Sequence, residues 1–423
     1  MKRVHGEERP LRQVLAARMQ RAAPTLLALL GLSLSLAGSG AQAGSIFARD
    51  GVGEWIEGYD GAAQARGGTA LAVAEAYNAF GPNAATAALS KNAAGHVGLT
   101  LSTRWSTDGV ETSRRGTSSF TGMGAYVPIG GGFGLRGMLR PVSDGAYAIE
   151  QRLETGSGSS GNRRREEGSR GLLQYGGDLV WQVRPRLALA AGVGLISGSL
   201  LEETTYSLAD SGWSGASVRN ELRIEPAVFL TGGLFAEPIS RLALGAFVQT
   251  PAQGDARTNY RAPEGASWKQ DHQIEFPLAA GGGVSLRIGS RLRLSSDLIW
   301  RDWEGAEIGA PDQSGRADLR STLRWGVGIE RTARIERRVD PWRRLALRAG
   351  FAWVPWYLRD GSGDAIDEWR ASAGIGLPIQ VDRGMIDLAF VWGQRGDEST
   401  NGLSERYYRL SLSFTFARVL RQY

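Results

Sequence analysis

Apolar and polar side chains alternate along most of the chain after residue 95, and this alternation constrains the fold more than any other feature of the sequence. A period of two residues is typical of β-strands that have one apolar and one polar face. The C-terminal segment shows the pattern most clearly. Its apolar positions are Tyr408, Leu410, Leu412, Phe414 and Phe416. Its polar positions are Tyr407, Arg409, Ser411, Ser413 and Thr415. The sequence therefore predicts an all-β fold.

The spacing of turns and loops predicts the number of strands. Short turn signals occur at residues 130–132, 184–186, 238–240, 289–290, 340–341 and 381–382. Longer polar loops alternate with them at residues 107–116, 155–170, 207–216, 262–267, 309–318, 358–366 and 395–403. Seven loops and six turns connect 14 strands. An even strand number, with short turns on one side and long loops on the other, is typical of outer-membrane barrels and places both barrel ends in the periplasm.

Alternation by itself also fits a soluble β-sandwich, whose apolar faces meet in a core. The arrangement of loops favours a 14-stranded antiparallel transmembrane β-barrel instead. Several tryptophans near predicted strand ends suit the boundary between lipid headgroups and hydrocarbon, although packing against neighbouring strands is an alternative. These tryptophans are Trp181, Trp300, Trp303, Trp353, Trp356 and Trp392.

The first 43 residues have the layout of a secretory signal peptide. Basic residues precede an apolar core at residues 25–37, and Ala41 and Ala43 stand at a cleavage spacing. The core is shorter than the roughly 20 residues that a membrane-spanning helix needs. We expect cleavage after Ala43, with Met19 as an alternative start, and export to the bacterial outer membrane.

Composition excludes several classes of protein. The net charge is +6, but the arginines are spread along the chain rather than clustered, so no nucleic-acid partner is expected. The absence of cysteine excludes disulfides and thiolate metal ligands. A mean hydropathy of −0.22, with no long apolar run after residue 43, excludes a bundle of membrane-spanning helices. No cofactor and no metal site is expected.

Alternation is absent between the signal peptide and the first predicted strand. Residues 44–94 are rich in alanine and glycine, which favours short helices and turns. A barrel of 14 strands leaves a lumen that its own side chains do not fill, so this segment either enters the barrel as a plug or forms a periplasmic tail. The predicted organisation is a signal peptide at 1–43, a partly helical N-terminal hatch at 44–94, a barrel at 95–416 and an extension at 417–423.

Part of this segment resembles the N-terminal hatch of the FadL-type outer-membrane transporters. The resemblance lies in residues 65–74 (ARGGTALAVA), in Tyr77 and in residues 82–85 (PNAA). Residues 277–303 are similar to a later hairpin of the same family, and the strand number agrees with it. The family usually has Asn-Pro-Ala in its hatch, whereas here the asparagine follows the proline.

The resemblance implies passive transport of long-chain fatty acids or other hydrophobic small molecules. It implies a monomer that contacts outer-membrane lipid and lipopolysaccharide and that depends on the barrel-assembly machinery for its biogenesis. It also assigns a hatch or gate role to Gly67, Gly68, Pro82, Asn83 and Ala84.

A lateral opening is the second feature that the resemblance implies. In the family, an inward kink of the third strand opens the barrel wall. The third predicted strand of this chain is interrupted at Pro141, Asp144 and Gly145, and proline in a strand tends to mark a bulge or an edge. We expect a kink here that provides a lateral exit. A small bulge or the start of an extracellular loop is the alternative.

Two other functions stay open. Residues 386–416 also resemble barrels of the same superfamily that act as shuttles in type IX protein secretion, which favours a role in protein secretion or in assembly. A general porin would lack an inserted hatch.

An enzyme is not expected. After the signal peptide the chain has just two histidines, His96 and His272, far apart in sequence, and each is interpreted as a satisfied or solvent-exposed side chain. The basic residues Arg163, Arg164 and Arg165 fall in the longest predicted loop, where they either contact lipopolysaccharide phosphates or form a solvated charge run.

Overall fold

A computed structural model describes residues 44–75, 80–90, 92–153, 162–208, 213–308, 318–333, 341–379 and 384–418. The predicted signal peptide, Tyr77 and the turn expected at residues 381–382 lie outside these ranges, as do parts of several predicted loops. No helix within the described ranges is long and apolar enough to cross a bilayer.

The described residues form one antiparallel sheet that closes on itself. Its strands are β1 (Glu54–Trp55), β2 (Ala93–Thr107), β3 (Thr112–Gly130), β4 (Phe133–Asp144), β5 (Tyr147–Arg152), β6 (Arg163–Arg184), β7 (Leu187–Leu208), β8 (Trp213–Ile239), β9 (Leu242–Gln249), β10 (Ala252–Arg261), β11 (Ser267–Phe276), β12 (Ala279–Ile288), β13 (Leu292–Arg301), β14 (Thr322–Arg331), β15 (Ala346–Trp353), β16 (Glu368–Pro378), β17 (Gly384–Arg395) and β18 (Ser404–Arg418). β1 pairs with β4; from β2 onward, strands that follow one another in the chain either pair or are successive parts of one strand, and β18 pairs with β2 to close the barrel.

Three of the barrel-crossing strands are divided in two. β4 and β5 both pair with β6, and β9 and β10 both pair with β8. β11 and β12 pair with β10 and β9 in the same way. Counting each divided strand once, and leaving out the two-residue β1, which pairs with β4, gives a closed antiparallel barrel of 14 strands; this confirms the predicted fold class.

The apolar face of the barrel points outward. On β18, Tyr408 and Leu410 are each 42% exposed, whereas Ser411 and Ser413 are each 1% exposed. A sandwich would bury the apolar side chains and expose the polar ones. The sequence alternation therefore reflects a lipid-compatible outer surface and a polar interior.

The tryptophans divide into two groups. Trp181, Trp300, Trp353 and Trp392 are exposed on the outer surface, as the boundary interpretation predicts. That interpretation is wrong for Trp303 and Trp356, which are buried. Both belong to segments that follow strands at the long-loop end, and they pack together with other loop residues in an apolar cluster.

The N-terminal segment passes from the long-loop end of the barrel to the short-turn end. Its helical parts are the 3₁₀-helices Ile46–Arg49 and Ala84–Leu89 and the α-helix Gly61–Ala65. Phe47 packs in the loop cluster, whereas the alanines of the Ala84–Leu89 helix pack against Val180 and Phe235 near the short turns. Short helices elsewhere are Pro263–Gly265, Pro341–Arg344 and Glu398–Asn401.

Candidate functional site

The second and third barrel strands separate halfway along their length. β3 pairs with β4 from the short turn as far as Met123 opposite Leu139. Beyond this pair β3 continues to Thr112 with β2 alone as its strand partner among the described residues. β4 continues in contact with β6, so the two strands part without either of them ending. The separation leaves a break in the hydrogen-bonded wall.

Irregularities in both strands coincide with this separation. On β4 the register against β6 shifts between Pro141 and Ser143, and proline cannot donate a backbone hydrogen bond to a neighbouring strand. On β3 the register against β2 shifts at Gly122, whose φ of 139° favours glycine. A Cβ at Gly122 would also overlap the ring of Phe80 from the N-terminal segment. These features bend the two strands apart.

The predicted kink residues lie at this point. Pro141 stands at the register shift, and Asp144 is the last residue of β4. The Asp144 carboxylate accepts a hydrogen bond of 3.0 Å from the backbone N–H of Ala146, which closes the turn at Gly145 before β5 begins. The interruption is therefore larger than a simple bulge, because it divides one strand into two.

The N-terminal segment occupies the edge of β4 that β3 leaves. Glu54 and Trp55 form the two-residue strand β1, which pairs antiparallel with Asp144 and Ser143. The backbone N–H of residue 56 extends this pairing, because it donates to the carbonyl of Val142 over 2.8 Å. The end of β4 is thus paired with a piece of the N-terminal segment instead of with β3.

A cavity of about 100 Å³ lies behind the separated strands. Its outer side is formed by inward residues of β3, namely Thr117, Ser119 and Thr121. Its inner side is formed by the N-terminal segment, and its far wall by strands β14 to β18. The charged residues around it are Glu54, Glu57, Arg104, Asp144, Arg324, Arg370 and Arg409. The cavity therefore has a mixed lining, in which these charged groups lie beside apolar side chains such as Ile56, Phe120 and Val391.

Buried ion pairs hold the N-terminal segment at the long-loop end. The Arg395 guanidinium contacts Glu54 at 2.9 Å, Glu368 at 2.6 Å and Glu405 at 3.1 Å. It also donates to the hydroxyl of Ser45 over 2.7 Å. Each ion takes part in several contacts, which offsets the cost of removing its charge from water.

Further ion pairs hold the same segment deeper in the barrel. Glu57 contacts Arg301 at 3.1 Å and Arg324 at 2.5 Å. Closer to the short-turn end, Arg66 contacts Glu330 at 3.3 Å and Glu75 at 2.6 Å. Ion pairs therefore join the segment to the barrel wall at three positions, which are Glu54, Glu57 and Arg66.

The predicted hatch residues lie against the barrel wall. Gly67 and Gly68 have φ values of 67° and 74°, and the Gly67 carbonyl accepts a hydrogen bond of 2.7 Å from Arg324. The Asn83 amide donates to the carbonyls of Leu71 at 2.8 Å and Leu234 at 2.9 Å. These contacts join two parts of the segment to each other and to β8.

The remaining two predicted hatch residues lie beside Asn83. Ala84 is buried and begins the last helix of the segment. Pro82 lines a small cavity together with Arg140 and Arg301. The predicted hatch residues therefore form two separate groups. Pro82, Asn83 and Ala84 contact one part of the wall, and Gly67 and Gly68 contact another.

An apolar cluster covers the long-loop end. The rings of Trp303 and Tyr357 stack with centroids 4.3 Å apart, and Trp55 meets Trp303 edge-on at 5.0 Å. Val52 of the N-terminal segment and Val142 of β4 are fully buried in the same cluster. Apolar side chains therefore extend from the loops down to the point at which β4 has parted from β3.

The main residues of this arrangement were missed by sequence reasoning. The alternation predicts that the arginines and carboxylates of the strands point into the barrel. It does not predict with which residues they form ion pairs. Trp303 and Tyr357 follow strand ends, and no periodic signal places them inside. The loop assignment of Arg163, Arg164 and Arg165 is wrong, because they begin β6 and belong to a hairpin.

The histidines do not form a catalytic pair. His96 lies on β2 and His272 on β11. The interpretation of His96 as satisfied or solvent-exposed is wrong, because its ring is 1% exposed and stacks on Phe80 with centroids 4.7 Å apart. Neither ring nitrogen of His96 has a hydrogen-bond partner among the described residues. Its environment is that of a packed aromatic ring.

Comparison with known proteins identifies the fold. The family model described as BamG matches residues 255–419. No curated protein matches the sequence. The toluene transporter TbuX of Ralstonia pickettii is a similar solved structure, with 14% identity, a TM-score of 0.58 and coverage of 86% of this chain and 99% of that chain.

Two other solved structures have the same architecture. The toluene transporter TodX of Pseudomonas putida is 16% identical with a TM-score of 0.56, over 88% of this chain and 100% of that chain. A FadL homologue of Pseudomonas aeruginosa is 14% identical with a TM-score of 0.55, over 86% of this chain and 99% of that chain. The fold is therefore that of the FadL-type barrels, as the sequence resemblance predicts.

Proposed function

We propose that this chain is a bacterial outer-membrane barrel through which hydrophobic small molecules diffuse passively and leave sideways through the wall. The observation that carries the proposal is the parting of β3 and β4 beyond Met123 and Leu139. In this proposal the opening faces lipid, which is supported by the outward, 57% exposed Leu101 of the neighbouring β2. An apolar molecule gains free energy on passing from water into hydrocarbon, so diffusion needs no other energy source.

Entry takes place at the apolar cluster of the loops. Trp303, Tyr357 and Phe47 offer aromatic surface at the long-loop end, and the cluster continues to Val142 at the inward bend. An apolar molecule that enters between these side chains is guided toward the separated strands. Long-chain fatty acids and small aromatic hydrocarbons are the substrate classes proposed.

Residues 44–94 act as the plug in this proposal. Three sets of ion pairs tie them to the wall, through Glu54, Glu57 and Arg66. A segment held at three heights obstructs a water-filled passage along the barrel axis. This argues against a general porin and favours a lateral route for the ligand.

Proteoliposomes test the proposal directly. We expect the intact protein to accelerate equilibration of toluene or of a long-chain fatty acid, and not to cause swelling with sugars. Ser119→Trp fills the cavity behind the opening, and it should slow equilibration severalfold. Ser118→Trp is the matched control, because Ser118 points outward on the same strand. Rapid swelling with sugars, or equal effects of the two variants, would contradict the proposal.

A role in the assembly of other barrels, or in protein secretion, is the second candidate. The match of the BamG model to residues 255–419 favours it, and so does the charged lining of the cavity, which suits an apolar ligand poorly. Depletion of the protein distinguishes the two functions. A fall in the amount of other outer-membrane barrels, with hydrophobic uptake unchanged, would support assembly; the reverse would support transport.

The proposal places the protein as a monomer with both barrel ends in the periplasm. Export through the N-terminal signal peptide and insertion by the barrel-assembly machinery precede function. Exposed arginines at the long-loop end, such as Arg163 and Arg165, lie at the level of lipopolysaccharide phosphates in this orientation. No catalytic step is assigned to the chain.

A further inference from the structure

An apolar groove lies on the outer surface of the barrel near the short turns. It has a volume of about 610 Å³ and is lined by residues of β4 and of β6 to β9. Every lining residue is aliphatic, aromatic or glycine. None of them belongs to β3, so the groove is separate from the opening between β3 and β4.

Small residues form the floor of the groove. Ala191 of β7 stands opposite Gly232 of β8. Leu179 of β6 pairs with the first of them and Val248 of β9 with the second. The backbones of β6 and β9 are about 14 Å apart, since three strand spacings separate them. Leu179 and Val248 are both exposed, so two large side chains enclose a gap whose floor is a methyl group and a hydrogen atom.

Large side chains also limit the groove along the strands. Val193 and Leu230 stand opposite each other, two residues further from the short turns, and both are exposed. On the short-turn side the rings of Phe133 and Trp181 stack with centroids 5.6 Å apart. Outward aromatic rings mark the interface between hydrocarbon and headgroups in barrels. The groove therefore lies at the depth at which an acyl chain leaves its headgroup.

Three arginines lie beyond these aromatic rings, at the short turns. Arg184 is the last residue of β6 and follows Trp181 by three residues. Arg186 belongs to the turn between β6 and β7, and Arg241 belongs to the turn between β8 and β9. All three side chains are exposed. Three residues of a strand span about 10 Å, which places these turn arginines at the level of lipid phosphates.

The turn arginines, Arg184, Arg186 and Arg241, form no ion pair within the part of the chain that the structure describes. Glu237 is a neighbour, because its backbone N–H donates to the carbonyl of Arg186 over 2.8 Å. Its carboxylate, however, is paired with Arg287 at 2.8 Å. Guanidinium groups bind phosphate oxygens through charge-assisted hydrogen bonds. The charge of these turns is therefore complementary to an anionic headgroup.

We propose that the groove and the turn arginines together bind one anionic phospholipid of the inner leaflet. An acyl chain lies over Ala191 and Gly232, and the phosphate pairs with the turn arginines. Phosphatidylglycerol fits this site better than phosphatidylethanolamine, because the ammonium group of the latter is repelled by the same arginines. The choice of leaflet rests on the proposed orientation of the barrel; the inference otherwise goes beyond transport and does not depend on it.

Native mass spectrometry of the intact protein in mild detergent tests the proposal. The probe is an equimolar mixture of phosphatidylglycerol and phosphatidylethanolamine with identical acyl chains, and the masses count the lipids that stay bound. We expect the unchanged protein to retain phosphatidylglycerol about tenfold more than phosphatidylethanolamine. Heat-modifiability on gels verifies that each variant described below is folded.

Ala191→Phe tests the groove, because the added ring fills its floor. Retention of both lipids should fall severalfold. Ala373→Phe is the matched control, since Ala373 is an exposed alanine on the outer face of β16 and does not line the groove. The control should retain both lipids as the unchanged protein does.

Replacement of all three turn arginines by glutamine tests the headgroup contact. Lipid should still bind, but the preference for phosphatidylglycerol should disappear. The matched control replaces three exposed arginines at the long-loop end, Arg163, Arg223 and Arg257, by glutamine. This control removes the same amount of charge and should keep the preference.

Four results would overturn the proposal. Equal retention of the two lipids by the unchanged protein would exclude a headgroup site, and equal losses in Ala191→Phe and Ala373→Phe would show an unspecific lipid shell. Loss of the preference in both glutamine variants would assign it to overall charge. A dimer that Ala191→Phe abolishes would assign the groove to a second copy of this chain. Toluene equilibration by the Ala191→Phe protein reports on transport separately, so the two proposals fail independently.

Discussion

The guanidinium of Arg395 donates to the carboxylate of Glu54 over 2.9 Å, although the two residues are 341 positions apart in the sequence. One residue ends a barrel strand and the other belongs to the strand that occupies the edge of β4. Neither is appreciably exposed, and Arg395 also contacts Glu368 and Glu405. The contact therefore joins the end of β17 to the N-terminal segment.

Arg395→Met is predicted to loosen the N-terminal segment. The change leaves three carboxylates buried without their shared cation, and breaking a buried ion pair costs about 3–5 kcal/mol. Urea unfolding in detergent should show this loss, and protease should cleave residues 44–56 faster. Arg257→Met is the control, because the Arg257–Asp271 pair is exposed and an exposed pair contributes about 0–1 kcal/mol. Equal losses in the two variants would contradict the anchoring role.

Gly67→Ala is predicted to lower the free energy of unfolding by more than the cost of placing alanine in a left-handed backbone conformation. A Cβ at this position would lie 2.7 Å from the carbonyl oxygen of Val327, and φ is 67°. Gly289→Ala is the matched control, since Gly289 has a φ of 62° with nothing within 4 Å of the added atom. The control should cost about 1 kcal/mol for the left-handed backbone, and Gly67→Ala should cost clearly more. Similar unfolding midpoints for the Gly67→Ala and Gly289→Ala proteins would show that the backbone near residue 67 shifts to make room for the added Cβ.

The barrel could be predicted from the sequence because its signals are local. Alternation within each strand and the turns between neighbours fix the strand number and the sense of each face. The pairing of β1 with β4 could not be predicted, because a two-residue strand such as Glu54–Trp55 has no periodicity. The partners of Arg395 depend on barrel register and on the path of the N-terminal segment, and neither is encoded in a local pattern.

The candidate site was predicted only in part, because only some of its features have local sequence signals. Pro141 signals an interruption in its own strand, and the glycine pair Gly67–Gly68 signals unusual backbone. Burial of Trp303 could not be inferred, because it results from loops that fold over the barrel end. Arg163 was predicted to lie in a loop but begins β6. A polar hairpin that extends beyond the apolar band has the same composition as a loop, so the sequence does not distinguish the two.

Asn83→Asp is predicted to detach the end of the N-terminal segment from the wall. The Asn83 amide donates to the carbonyls of Leu71 and Leu234, and a carboxylate in its place would face two acceptors. Loss of hydrogen bonds at a buried position costs about 1–3 kcal/mol. Amide exchange in the helix Ala84–Leu89 should accelerate. Asn83→Ser, which keeps a donor, should have a smaller effect, and the same exchange rate in both variants would exclude a specific role for the amide.

Trp303→Ala is predicted to weaken the binding of hydrophobic ligands at the long-loop end. Its ring stacks on Tyr357 with centroids 4.3 Å apart and forms the middle of the apolar cluster, so its removal deletes contact area that a ligand would use. We expect toluene binding, measured by titration calorimetry in detergent, to weaken about tenfold, which corresponds to about 1.4 kcal/mol. Trp300→Ala removes a tryptophan of the same segment that faces outward, and it should leave binding unchanged. Weaker binding in both variants, or in neither, would contradict entry through the cluster.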